Sequence, residues 1–113
     1  MPSIQGNPGE IRELARYEIR PEALDEVLTA IREFVAYVRT NEPGALRYEV
    51  WQEKHRPPRF VHIFVWKDEA ANHIHGESAA VKKFAGTLYP RCLAPVEFIT
   101  YQQFDANAAF ARV

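Results

Sequence analysis

Residues 60–84 read FVHIFVWKDEAANHIHGESAAVKKF, and the pattern of this stretch changes midway. The first seven residues are apolar on both faces apart from His62, and most are β-branched or aromatic, which is typical of a strand covered on both sides. The pattern then turns polar, and Asp68 is a favourable N-cap for a helix. Gly76 interrupts this helix, Ser78 offers a second N-cap, and apolar residues then recur at helical spacing. The stretch therefore predicts a buried strand that leads into a two-part helix.

The remaining elements follow from the same two periodicities. Apolar residues at helical spacing from Leu24 to Val38 predict one long helix, which begins at Pro21 and ends before Pro43-Gly44. Alternating patterns predict strands at residues 11–19, 45–52 and 96–104, in addition to the strand at 59–66 that is apolar on both faces. The order β-α-β-β-α-β is the ferredoxin-like arrangement of the α+β class. We expect a four-stranded antiparallel sheet with both helices on one face.

The sheet face that points away from the helices is predicted to be apolar as well. It would carry Trp51 or Tyr48, Phe98 or Ile99, and half of the residues of the central strand. An exposed apolar face of this size predicts a partner. Because a second copy can cover it with the same surface, we expect a homodimer that pairs through the sheet faces.

Composition limits the classes of protein that the chain can represent. Its 113 residues are enough for one domain, which we place at residues 11–104 between a loose tail at 1–10 and a short tail at 105–113. The net charge is −1 without blocks of like charge, which argues against a nucleic-acid partner. We see no apolar run of membrane-spanning length and no signal core, so we expect no membrane partner. Cys92 is the single cysteine, which fits a cytoplasmic protein.

Several of these residues together resemble a known family. The chain is similar to the antibiotic biosynthesis monooxygenase domain family of the dimeric α+β barrel superfamily over residues 14–104. The resemblance is carried by Pro21, Pro43-Gly44-Ala-Leu-Arg-Tyr48-Glu49, Phe60-Val61, Trp66-Lys-Asp-Glu-Ala70, His75, Ser78, Phe84, Leu88-Tyr89-Pro90 and Pro95-Val96-Glu97. It implies a dimeric barrel of paired sheets. Family members include quinol and polyketide-anthrone monooxygenases that use no metal or flavin, haem-degrading enzymes, and proteins of no known activity.

Two departures from the family pattern narrow this expectation. A glutamate often stands two residues before the tryptophan, and here Phe64 takes that position. The Asn-Trp-His set of the haem-degrading branch is also missing, since His75 and Ala85 stand where its Trp and His would be. We therefore expect no haem. No flavin is expected without a Gly-rich phosphate loop, and no metal is expected because His73 and His75, two residues apart on a helix, point to different sides.

His75 is the candidate catalytic residue. On the family pattern it would face a pocket between helix and sheet, as a base or hydrogen-bond partner for a phenolic substrate. The alternative is a histidine that only satisfies a backbone carbonyl at a helix end. The candidate substrate-binding residues are Trp66, His62, Tyr48, Phe64, Phe84, Tyr89 and Arg91. Each could instead be a core residue that does not bind a ligand, or, in the case of Arg91, a solvated surface residue.

Two functions remain open at this point. The first is a cofactor-independent monooxygenase that oxidises a small aromatic, of the hydroquinone or polyketide-phenol type, with O₂. The second is a non-catalytic dimeric barrel that binds a small apolar ligand, because a fold does not determine a function. A pocket with His75 on its wall would favour the first, and a cavity filled by Phe64, Trp66 and Phe84 would favour the second.

Overall fold

A computed structural model describes residues 9–112 of the chain. Strands β1 (Ile11–Glu18), β2 (Ala45–Gln52), β3 (Arg59–Trp66) and β4 (Glu97–Tyr101) form one sheet, and the helices are α1 (Leu24–Asn41), α2 (Glu69–Glu77) and α3 (Ala79–Leu88). Single 3₁₀ turns lie at Pro21–Ala23, Tyr89–Arg91 and Ala106–Ala108. Most of the predicted N-terminal tail and the last residue lie outside the described part.

The sheet has the strand order β2-β3-β1-β4 with antiparallel pairing throughout. His62 of β3 stands between Val50 of β2 and Ala15 of β1, and Ala15 in turn pairs with Phe98 of β4. The buried side of α1, with Val27, Ile31, Phe34 and Val38, packs together with residues of one sheet face such as Phe60 and Phe64. The predicted ferredoxin-like α+β fold is confirmed.

The register decides which strand residues face the helices. Tyr48 and Phe98 share the inner face with Phe64 and Ala15, whereas Trp51 and Ile99 lie on the outer face with Val61 and Leu14. The outer face leaves Trp51 58% exposed. The sequence had left these two pairs open, because both members of each pair are apolar or aromatic.

Two strands end earlier than predicted. β1 stops at Glu18, and Ile19 makes an isolated bridge with Cys92 instead. β4 runs over Glu97–Tyr101 rather than residues 96–104, because Tyr101 pairs with Arg12 and β1 begins only one residue before that position. Only Ile11 of β1 is left beyond that pair, which is too little to extend β4 over the three further residues that were predicted.

The break in the second helical segment lies at Ser78, not at Gly76. Gly76 is inside α2, whereas Ser78 has an extended backbone and its hydroxyl accepts the Val81 N–H at 3.1 Å. A new helix starts where a side chain satisfies its first free N–H groups, and glycine has no side chain to do so. The first part begins as predicted, with the Asp68 carboxylate accepting the Ala71 N–H at 2.8 Å.

Within residues 9–112, no helix is both long enough and apolar enough to cross a membrane.

Candidate functional site

A cavity of about 230 Å³ lies between the inner sheet face and the second helical segment. Its walls are mostly apolar and aromatic, with a few polar groups. Aromatic walls are contributed by Phe34, Phe64, Phe84 and Phe98, and polar groups by Glu13, Tyr17, His62, Asn72, His75 and Tyr89. An apolar cavity with few convergent polar groups is the usual form of a small-molecule site.

The start of α2 is held tightly against the sheet. The Lys67 N–H donates to the Gly44 carbonyl at 2.7 Å. A Cβ added to Gly44 would lie 2.5 Å from the Cβ of Ala71, so only glycine allows this approach. The contact fixes where α2 runs over the inner face, and therefore where His75 is placed.

His75 is bound to a buried carboxylate. Its Nδ1 lies 2.7 Å from Oε1 of Glu42, and the two side chains are 10% and 5% exposed. The imidazole also packs against Trp66, with ring centroids 4.4 Å apart. Since a carboxylate accepts hydrogen bonds, Nδ1 is the donor, and Nε2 is the nitrogen left for a ligand in the cavity.

Glu42 was not predicted from the sequence. It directly follows α1 and belongs to the segment that ends that helix, where an acidic residue is usually solvated. Here it is 7% exposed, and its Oε2 has no hydrogen-bond partner among the described residues. The linear sequence contains no pattern that links it to a histidine 33 positions later.

His62 stands in a second buried network. Its Nε2 lies 2.7 Å from the Tyr17 hydroxyl and its Nδ1 lies 2.7 Å from the Tyr48 hydroxyl. Burial lowers the pKa of His62 to about 3 and raises the pKa of both tyrosines above their usual range. His62 is therefore neutral at neutral pH, and both phenols keep their protons.

Glu13 is a second cavity residue that sequence reasoning missed. Burial raises the pKa of its carboxyl group, and His75 nearby partly offsets this shift. The available signal was its position, since Glu13 shares one face of β1 with Ala15 and Tyr17 and that face is the buried one. An acidic residue on a buried strand face indicates a polar site or a partner.

The predicted binding residues divide into two groups. His62, Phe64, Phe84 and Tyr89 line the cavity, as does the catalytic candidate His75.

The structure places the other three elsewhere. Trp66 is fully buried behind His75, and Tyr48 reaches His62 from the side away from the cavity. Arg91 binds Glu26 of α1 and the Thr87 carbonyl, so its guanidinium ties α3 to α1 instead of meeting a ligand. Neither Trp66 nor Arg91 is among the residues that line this cavity.

His73 is exposed on α2, while His75 on the same helix is buried. In the described part of the chain, no three His, Cys, Asp or Glu side chains converge as metal ligands would.

Comparisons with known proteins agree with this architecture. The family model described as antibiotic biosynthesis monooxygenase matches residues 11–87. The chain is 28% identical over 85 residues to YcnE of Bacillus subtilis (strain 168), named as a candidate monooxygenase, and the match covers 75% of this chain and 88% of YcnE.

Solved structures give the same picture. A candidate antibiotic biosynthesis monooxygenase from Bacteroides thetaiotaomicron VPI-5482 has a TM-score of 0.80 at 26% identity, covering 87% of this chain and 92% of its own. SnoaB of Streptomyces nogalater, described as a cofactor-independent oxygenase, has a TM-score of 0.73 at 18% identity. The match covers 86% of this chain and 95% of SnoaB, which shows a shared fold. Since the family model matches more than half of its residues, this chain belongs to the antibiotic biosynthesis monooxygenase family.

Proposed function

We propose that the protein is a monooxygenase that oxidises a small phenol or hydroquinone with O₂ and draws all the electrons from its substrate. The observation that carries this proposal is His75, which stands on the wall of an apolar cavity with Nδ1 bound to the buried Glu42 carboxylate. Membership of the family supports the reaction type.

The pairing of His75 with Glu42 suits a general base. With Nδ1–H donating to the carboxylate, Nε2 offers its lone pair to a proton of the ligand. The carboxylate then stabilises the imidazolium that forms, in the way the acid of a catalytic triad does. The packing of Trp66 and Phe64 against the ring fixes its orientation.

The chemistry then requires little else from the protein. His75 takes the hydroxyl proton, the phenolate gives one electron to O₂, and the resulting radical pair forms a bond between a ring carbon and oxygen. The proton returns to the peroxide, which loses water together with the hydrogen of that carbon. One oxygen atom becomes a ring carbonyl and the other becomes water. The four electrons come from the substrate, so no other reductant is needed. A dry, oriented pocket is what the protein supplies.

The volume of the cavity points to a small substrate. An apolar cavity of about 150 Å³ holds a benzene molecule, and this one measures about 230 Å³. We therefore propose substrates of one or two fused rings as the best fit.

The alternative of a non-catalytic binding module predicted a cavity filled by aromatic residues. Phe64 and Phe84 line an open space and do not fill it, and His75 is on the same wall. These positions favour the enzyme.

Oxygen uptake tests the proposal. The purified protein is supplied with ¹⁸O₂ and a panel of benzene- and naphthalene-type hydroquinones and small anthrone analogues, without added cofactor. We expect uptake with at least one compound, with one labelled oxygen atom in the organic product and one in water. If no compound on the panel is oxidised while several bind, the ligand-binding module is the better account.

We also propose that a second copy of the chain covers the outer sheet face. Leu14, Ile63, Ile99 and Trp51 form an apolar patch there, beside the exposed Arg16–Glu97 ion pair. A stable dimer of this kind would bury above about 2,000 Å² in total. The segment after β4 carries the exposed Phe104 and Phe110 and would add to this interface.

A further inference from the structure

Three side chains form a continuous hydrogen-bonded row across the inner sheet face. Tyr48 of β2 and Tyr17 of β1 reach His62 from the two strands that flank β3, each at 2.7 Å and each on a different ring nitrogen. Tyr17 and His62 are 7% and 2% exposed. The Tyr17 end of the row lines the cavity, and the Tyr48 end does not.

The number of hydrogens in this row limits it to two arrangements. A neutral imidazole has one N–H and one lone pair, and each phenol has one O–H. Three hydrogens therefore serve two hydrogen bonds, and the bonds must run head to tail. In one direction Tyr48 donates to Nδ1 and Nε2–H donates to Tyr17, which leaves the Tyr17 O–H free. In the other direction the Tyr48 O–H is left free.

One of these directions leaves the free hydrogen at the cavity, and the other leaves it on the half-buried Tyr48, which does not line the cavity. The Tyr48 ring lies against Phe64 at 4.1 Å and Phe34 at 5.9 Å between ring centroids. Within residues 9–112 its hydroxyl is hydrogen-bonded to His62 alone. A buried O–H without an acceptor is unfavourable. The Tyr17 hydroxyl, in contrast, borders the cavity, where water or a ligand accepts its hydrogen.

We propose that Tyr17 is a fixed hydrogen-bond donor of the cavity, oriented by His62 and Tyr48, and that it selects ligands that carry a carbonyl or phenolate oxygen. This inference deepens the proposed function and rests on it for the identity of the substrate. The preferred substrate has an acceptor oxygen that Tyr17 holds, in addition to the hydroxyl group whose proton His75 takes. Tyr17 is four residues from Glu13 on the same face of β1, so their Cα atoms are about 13 Å apart. Tyr17 and Glu13 therefore lie at two separate positions along the cavity wall.

Binding of unreactive probes tests the donor without any turnover. 1-Indanone carries one carbonyl acceptor, and indane has the same two rings without it. We expect calorimetry to show tighter binding of 1-indanone to the wild type. Tyr17→Phe should weaken 1-indanone binding by about 3–10-fold, the range of one net hydrogen bond, and leave indane binding unchanged. Tyr101→Phe, on the outer face, is the matched control and should bind both probes as the wild type does.

The direction of the row is tested in the wild type by ¹⁵N NMR of the histidine rings, with His62 assigned by comparison with His62→Gln. We expect the proton of His62 on Nε2. A proton on Nδ1 overturns the inference. So does a Tyr17→Phe variant whose affinity for 1-indanone and for indane falls by the same factor. If Tyr17→Phe weakens the binding of 1-indanone but not of indane, and the wild type takes up no oxygen with any phenol, Tyr17 is a hydrogen-bond donor and the monooxygenase proposal fails.

Discussion

Separate replacement of Glu42 and His75 should show that the two side chains stabilise the fold as a pair. Their contact is 2.7 Å and both side chains are at most 10% exposed. His75→Ala leaves a carboxylate buried without a partner, and loss of one partner of a buried pair costs about 3–5 kcal/mol. Glu42→Ala leaves a buried N–H unpaired, which costs about 1–3 kcal/mol.

The double variant removes both members and leaves neither group unpaired. We therefore expect the double variant to lose less stability than the sum of the single variants, by about 1.5–3 kcal/mol, the range for a hydrogen bond to a charged group. Urea unfolding followed by circular dichroism gives each free energy of unfolding. All four proteins are compared at one concentration, because association would shift the apparent stability.

A second histidine and glutamate pair, on α2, serves as the control. His73 and Glu77 are both exposed on α2, and their alanine variants should each change the free energy of unfolding by less than about 0.5 kcal/mol. A coupling energy below about 0.5 kcal/mol between Glu42 and His75 would mean that the two sites are independent. The hydrogen bond from His75 Nδ1 to the Glu42 carboxylate would then not stabilise the fold.

Three further outcomes follow from the structure. Gly44→Ala places a methyl group 2.5 Å from a side-chain carbon of α2, so we expect a loss of about 1–3 kcal/mol in urea unfolding and a change in ligand affinity. The pKa of His62 is lowered to about 3 in the folded protein, below the value near 6.5 in an unfolded chain. Between these two pH values the unfolded state binds a proton that the folded state does not bind. The free energy of unfolding should therefore fall as the pH drops through this window, by at most about 1.4 kcal/mol per pH unit. His62→Gln should remove that contribution and the exposed His55→Gln should not, whereas equal pH profiles for all three proteins would contradict the burial argument. Light scattering should give a dimer for the wild type and a monomer for Ile63→Lys, which alters the outer sheet face. Ile74→Lys, which alters an exposed residue of α2, is the control and should remain a dimer. A wild-type monomer at micromolar concentration would contradict the dimer proposal.

The elements of the fold were readable because local patterns determine them. The alternation in β2, the helical spacing in α1 and the two N-caps at Asp68 and Ser78 each depend on residues a few positions apart. The end of β4 depends instead on where β1 begins, which is a property of the pairing and not of the local sequence.

The candidate site was readable only in part for the same reason. His75 could be proposed because of its place after the central strand and its match to the family. Glu42 joins it from the end of α1, and Glu13 reaches the cavity from β1, so both become visible only when the sheet and helices are assembled. The position of Trp66 behind His75 could not be predicted either, because a large aromatic residue at a strand end suits a cavity wall and the core equally well.

The central claim is that His75 takes a proton from the substrate. His75→Asn tests it most directly, because the amide nitrogen of asparagine can still donate to Glu42 but cannot act as a base. With the best substrate of the panel, we expect oxygen uptake by His75→Asn to show a kcat about 10²–10⁴-fold below that of the wild type, the usual contribution of a positioned general base. His73→Asn should retain the wild-type rate. A folded His75→Asn protein that consumes oxygen as fast as the wild type would contradict the account.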